Sequence, residues 1–453
     1  MVDGCLMHSS NLRSVALSPP PHHPSFYGPV ATPAGRRAAL PGEPRPAWGT
    51  PHLLAPRPIW SPIRNGPLLP LQYPMPPSRP LPHFRLGGNF APKVEQGLQA
   101  FLAMPQIGRD GGRPVAALDF DQTMHRGDCA WNCFIALMTT GDLRLTDEQL
   151  EQVLVLPDPA VTQVTVPRPE LGPEVTQDLP MSALRADILS AFGRHQAARS
   201  RRATTDLAST VERNNLADLR VKSALFCLGH EQERQRHAAQ ALQPTHTVAP
   251  LWLSWFAGYS PTELQQLARM THTALTKTPI RAGCGGRWTT ASPGHAGHQT
   301  YAFRYGSTSS PAMRRLVQDL DAANFDVYVV SGGVHAIVHA TLQAQGFAID
   351  AAHVLANHYH LNEVGRATLH QIHSSEAPRT YGPGKADLLR LRQLAPAFVA
   401  ADRDDAALFG SCEDHPQPAR LFVHDGQPSP LAAQARDRAR QAPAGDWSWL
   451  FQP

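Results

Sequence analysis

The sequence predicts an α/β fold, a doubly wound parallel sheet interrupted by a long helical insertion. Three observations in the 453 residues carry that expectation. Pro114–Leu118, Phe325–Val330 and Ala397–Ala401 are short apolar runs, and each ends in small or acidic residues: Asp119, Ser331-Gly332-Gly333 and Asp402. Runs of this length, interrupted only by Asp326, fit strands buried on both faces. Helical patterns separate the later runs, and strands alternating with helices imply parallel pairing through right-handed crossovers. The roughly 200 residues between the first two runs exceed any loop and must form a separate, mostly helical unit.

Along the chain, residues 1–92 form a Pro-rich extension. Twenty of the 44 prolines fall before residue 91, and proline removes donors and fixes φ, so neither ladders nor helices are expected there. The matches Pro74-Met75-Pro76-Pro77 and Pro77-Ser78-Arg79-Pro80 fit a ligand for a polyproline-binding partner, a pattern that proline-rich tails also produce by chance. Ordered sequence begins near Lys93 with a short amphipathic helix, Val94–Met104. The core is expected over 93–124 and again over 306–430, with the insertion at 125–305 and a tail at 431–453. Within the insertion, 156–180 reads as a Pro-rich linker and the following polar stretch, to about Gln243, as helix. Trp252–Thr276 reads as a further helix, with Ser260-Pro261-Thr262-Glu263 as a start signal. The second core half continues with a helix over Val334–Gln345, a hairpin turning at Asn362–Gly365, a helix over Lys385–Leu394 and a last strand at Arg420–Val423.

Composition narrows the function. A net charge of +4 is slight for this length and gives no reason to expect nucleic acid or an anionic membrane surface. No segment approaches the ~18 apolar residues of a spanning helix, and Met1–Ala16 lacks the pattern of a secretory signal. The six cysteines (Cys5, Cys129, Cys133, Cys227, Cys284, Cys412) show no CxxC pair or regular framework. Reduced thiols and a cytoplasmic setting are expected.

Asp119-Phe120-Asp121-Gln122-Thr123 is the segment richest in chemistry. Two carboxylates two residues apart at the exit of a buried strand repel unless they share a proton or a cation. Such strand ends are where open α/β sheets bind ligands. Ser331 with Gly332, then Lys385, then Asp402 with Asp404 and Asp405, follow at the ends of later strands or the starts of helices.

That order resembles the haloacid dehalogenase (HAD) superfamily of phosphatases, whose DxDxT signature Asp119–Thr123 matches. The resemblance covers about 93–430. Asp128 and the Trp131–Phe134 helix look like the phosphoserine-phosphatase branch, and Ala257–Glu263 is similar to cap sequence of phosphorylcholine-phosphatase-like members. It implies a Rossmann-like core under a helical cap, a small-molecule phosphomonoester as substrate, and Mg²⁺ as cofactor. Asp119 would be the nucleophile and Asp121 the general acid and base. Thr123, Ser331, Gly332 and Lys385 would hold the phosphoryl group, with Ser331 and Gly332 acting at a helix start. Asp119, Asp121 (through its carbonyl), Asp402 and Asp405 would serve the metal.

One departure stands out. Ala401 replaces the usual glycine before Asp402, and Asp405 follows after three residues where the family has four or five. Two readings therefore stay open: a Mg²⁺-dependent phosphatase, or a catalytically weak or inactive relative that binds phosphorylated ligands or a protein partner. Two other groupings have plain alternatives. His335 and His339 sit at i, i+4 as metal chelators or surface histidines. Trp252, Trp255, Phe256 and Tyr259 form a cation-binding cage or a core.

Overall fold

The computed structural model describes residues 90–453, apart from 106–107, 109–110, 156–162, 169–174, 202–209, 241–250, 277–284, 372–379, 403–404, 425–428 and 444–445. The proline matches at 74–80 and Asp404 lie outside the described residues.

The chain begins with helix α1 (Pro92–Ala103), whose proline occupies the first turn, where a missing N–H costs nothing. Val94, Leu98, Phe101 and Leu102 form its buried stripe. Strand β1 (Val115–Asp119) leads to the two-residue strand β2 (His125–Arg126) and helix α2 (Cys129–Thr140). Asp128 caps α2 by accepting the Trp131 N–H at 2.8 Å, and Gly141 ends it in the left-handed region at φ 70°. Next come α3 (Asp147–Val153), the hairpin β3 (Gln163–Pro167) and β4 (Thr176–Pro180), and the long helices α4 (Met181–Arg201) and α5 (Thr210–Gln240). A 3₁₀ turn at Leu251–Phe256 precedes α6 (Pro261–Thr276) and the hairpin β5 (Gly285–Thr289) and β6 (Thr300–Arg304). The chain returns through β7 (Thr308–Ser309) and α7 (Pro311–Ala322) to β8 (Asp326–Val334), α8 (His335–Ala344) and β9 (Val354–Asn357). It ends with the hairpin β10 (Tyr359–Leu361) and β11 (Ala367–Gln371), then α9 (Pro383–Leu391), β12 (Pro396–Ala401), α10 (Ala406–Gly410), β13 (Ala419–Val423), α11 (Pro430–Gln441) and β14 (Leu450–Gln452).

Six strands make one parallel sheet in the order β14-β13-β12-β1-β8-β9. Alternate residues face opposite layers. Leu118, Val329, Phe398 and Leu421 belong to one apolar cluster with α1, α7 and α8. Ala117, Val330, Val399 and Phe422 belong to another with α9, α10 and α11. The sheet is therefore doubly wound, as expected. Its first strand lies centrally, so the carboxyl ends of β12, β1 and β8 stand side by side.

Three expectations need correction. The stretch 431–453 is not a tail, because α11 packs on the sheet and β14 extends it beside β13. The 156–180 stretch holds the hairpin β3–β4. Helix α6 begins only at Pro261, after a turn in which Gly258 adopts φ 85°. Its start is as read: Ser260 Oγ accepts the Glu263 N–H at 3.3 Å, and Glu263 accepts the Ser260 N–H at 2.8 Å.

Between β1 and β8, helices α4 and α5 grip the loop that joins β5 to β6. Asp187 on α4 accepts the Lys222 ammonium at 2.8 Å and the N–H groups of His295 and Ala296 at 2.8 and 2.9 Å. Asp218 on α5 accepts those of Ala291 and Ser292. The aromatic group is core: Trp255 and Phe256 are fully buried, and the Tyr259 hydroxyl donates to Asp142. Among the described residues no helix is long and apolar enough to cross a membrane.

Burial alone would raise the Asp187 carboxyl, but Lys222 and the two amides hold it at about 2. That is below the ordinary aspartate value of about 3.9, so its contribution is complete above that pH and disappears as pH falls through 2. Asp187→Ala leaves Lys222 buried without this partner and is expected to cost about 3–5 kcal/mol at pH 7. Urea unfolding of wild type and variant should show a gap that narrows from pH 7 to pH 3.

Candidate active site

Strand β1 delivers Asp119 as its last residue, and the chain then turns back tightly. The Phe120 carbonyl accepts the N–H groups of Met124 and His125 at 3.0 and 2.9 Å, with Gln122 in the left-handed region at φ 65°. This turn brings Thr123 round so that its hydroxyl donates to Asp119 Oδ2 at 2.9 Å. Asp121 points elsewhere. Its Oδ1 accepts the N–H of Cys129, the first residue of α2, at 2.9 Å, and the Cys129 thiol lies 3.7 Å from Oδ2. Burial, with the Asp128 carboxylate next in size, pushes the Asp121 carboxyl well above its usual range and favours the protonated form.

The other side of Asp119 meets Lys385, in the first turn of α9. Lys385 Nζ donates to Asp119 Oδ1 at 2.6 Å and to Asp405 Oδ2 at 2.8 Å, and all three residues are buried. Burial by itself lowers the lysine's pKa, but the two carboxylates outweigh it and keep the ammonium charged. Asp402 follows the last residue of β12, and Asp405 immediately precedes α10. One carboxylate oxygen from each of Asp119, Asp402 and Asp405 lies within 4.8 Å of the others. The three-residue spacing from Asp402 to Asp405 therefore reaches the site. Ala401 is accommodated as a fully buried strand residue opposite Phe422.

Three buried carboxylates around one ammonium make a site in which negative charge outnumbers positive. A divalent cation with a preference for oxygen ligands, Mg²⁺ among them, fits such a donor set. The Asp121 side chain is outside this cluster.

Ser331 lies one residue beyond the Asp119–Val330 pairing of β1 with β8, at the same end of the sheet. The expectation of a helix start at Ser331 and Gly332 is corrected, because both remain in β8 and α8 begins only at His335. The cause is a pair of residues that sequence reasoning missed. Asn357 donates to the Gly332 carbonyl at 2.7 Å and accepts the Thr380 N–H at 3.3 Å, stretching the segment as strand. The Tyr381 ring lies against Gly332, where a Cβ would come within 2.7 Å of it. Asn357 ends an apolar strand, and no spacing in the sequence links it to Gly332. His335 and His339 meet no third ligand at metal-binding distance among the described residues. Their rings are 6.1 Å apart, and His335 bonds the Ala351 carbonyl at 3.0 Å. Beside Thr123 opens a cavity of about 370 Å³, walled by Arg126, Ser309, Ser310, Met313 and Gln452 among others.

No family profile and no curated protein matches the sequence. Among solved structures, a conserved protein of unknown function from Anaerococcus prevotii DSM 20548 is similar, with a TM-score of 0.60 at 16% identity, over 80% of this chain and 92% of its own. That likeness concerns the fold alone. A phosphoserine phosphohydrolase-like protein from Francisella tularensis subsp. tularensis SCHU S4 aligns at 11% identity over 68% of this chain and 86% of its own, with a TM-score of 0.28. A HAD-family hydrolase from Salmonella enterica subsp. enterica serovar Typhi aligns at 9% identity over 66% and 61%, with a TM-score of 0.24.

The Gly332 contact has a measurable consequence. Gly332→Ala must displace the Tyr381 ring or the strand, at an expected cost of about 1–3 kcal/mol in chemical unfolding. Tyr381→Ala in the same chain should recover most of that loss specifically attributable to the clash.

Proposed function

We propose that the chain is a Mg²⁺-dependent phosphomonoester hydrolase that works through an aspartyl-phosphate and acts on a small phosphorylated metabolite. The observation that carries this reading is the convergence of Asp119, Lys385, Asp402 and Asp405, from β1, α9 and the segment after β12, at one end of the sheet. The same observation favours catalysis over the binding-only reading, since the shortened segment after Ala401 still brings its carboxylates to Asp119.

In the first half-reaction the Asp119 carboxylate bonds to phosphorus as the bond from phosphorus to the leaving oxygen breaks. The Asp121 proton passes to that oxygen. In the second half-reaction a water gives a proton to Asp121 and bonds to phosphorus, which releases Asp119 and inorganic phosphate. Lys385 and Thr123 each hold one oxygen of Asp119, so the nucleophile presents a fixed face. Lys385 also offsets charge on the transferring group. Asp119, Asp402 and Asp405, with the Asp121 carbonyl, would hold Mg²⁺, which would supply neutralisation of phosphoryl oxygens. Ser331 and the Gly332 amide are the proposed phosphoryl donors from β8. The segment between β1 and β8 serves as the cap that excludes water and selects substrate.

The test is hydrolysis of p-nitrophenyl phosphate with Mg²⁺, beside metal-free protein and Asp119→Asn. Turnover is expected in the first, and a loss of roughly 10³-fold or more in the variant. Asp405→Asn is expected to raise the Mg²⁺ concentration for half-maximal rate by about 10–100-fold. A folded wild type with excess Mg²⁺ that hydrolyses neither this substrate nor a panel of phosphorylated metabolites would overturn the proposal.

A further inference from the structure

Two crossings carry the chain out of the core and back, and they lie against each other. The outgoing one is Asp121 to Gly127, with β2 pairing antiparallel to β7 of the returning one. Asn132, one turn into α2 and buried, closes a two-point clamp on the return. Its Nδ2 donates to the Gly306 carbonyl at 2.6 Å, and its Oδ1 accepts the Gly306 N–H at 3.1 Å. A primary amide paired in both directions with the N–H and C=O of one residue fixes distance and orientation together, as a single hydrogen bond does not. The fit is tight from the outgoing side as well. Gly127 adopts φ 124°, and a Cβ there would stand 2.2 Å from the Gly306 carbonyl oxygen.

The clamp matters because of what hangs from the same helix. The N–H that holds Asp121 Oδ1 belongs to Cys129, the first residue of α2 and one turn before Asn132. Asp119, by contrast, is held by Thr123 within its own turn and by Lys385 from α9, with no group from α2. The nucleophile and the acid are thus anchored to different bodies. A shift of α2 carries the Asp121 anchor with it and leaves both Asp119 anchors in place.

We propose that Asn132 is a positioning residue for the acid–base group: through Gly306 it pins the start of α2, and through the Cys129 amide it sets where Asp121 presents its proton. This rests on the phosphatase reading above. It specifies that the Asn132 clamp serves proton transfer to the leaving oxygen and not formation of the Asp119–phosphorus bond.

Leaving groups separate those two steps. p-Nitrophenolate departs without a proton, whereas the alkoxide of β-glycerol phosphate needs one. A misplaced acid therefore penalises the alkyl ester selectively. Asn132→Ala is expected to lower kcat/KM, which reports only the steps through departure of the leaving group, by about 10–100-fold for β-glycerol phosphate, the scale of a misplacement near 1 Å. The alkyl-to-aryl kcat/KM ratio should fall at least about tenfold below wild type. Gly127→Ala strains the clamp from the other crossing without touching Asn132 and should lower the same ratio, so it decides the matter if the first variant fails to fold. Equal losses on both esters in folded protein, or an unchanged ratio, would overturn the inference and leave the phosphatase reading standing. A wild type that turns over neither ester overturns both.

Discussion

The contact of Lys385 with Asp119 and Asp405 is the interaction on which the rest of this structure depends. Three buried carboxylates at one end of a sheet repel strongly in a low-dielectric interior, and each loses hydration on being brought there. An ammonium that bonds two of them directly makes the convergence tolerable. It also fixes the face of α9 that turns inward. The parallel topology is the other half of the arrangement. With β1 central, the exits of β12 and β8 are its immediate neighbours, and residues far apart in the chain become adjacent.

Much of this is legible in the sequence. β1, β8, β12 and β13 announce themselves because strands covered on both faces need continuous apolar runs, and those runs contain little else. The alternation of Ala117 and Leu118, or of Val329 and Val330, between two helix layers then follows from the pleat. Asp119 and Thr123 were legible as a pair because their contact is local, made within one turn.

What was not legible is what depends on distant partners. β14 is three residues long, and only its pairing with β13 marks it as a strand. The hairpin β3–β4 is bounded by Pro167 and Pro180, which locally argue against a ladder but sit at its ends, where a missing donor costs little. Ser331 and Gly332 are expected at a helix start. They stay in strand, where Asn357 and Tyr381, remote in sequence, bond and pack against Gly332. The reach of Asp405 was open for the same reason, since a spacing of three residues says nothing about where α10 starts relative to Asp119.

The division of labour between the two anchored bodies bears on how such a site can be both stable and responsive. Asp119 is the buried last residue of the central strand β1, and its partners are Thr123 in its own turn and Lys385 from α9. Asp121 takes its position from α2, a helix that packs against the Trp255 layer and is pinned to the returning chain at Gly306. Under the proposed two-step reaction Asp119 would have to keep its place between steps, whereas Asp121 would serve first the leaving group and then the attacking water. Anchoring Asp119 between its own turn and α9, and Asp121 on α2, would suit those two demands.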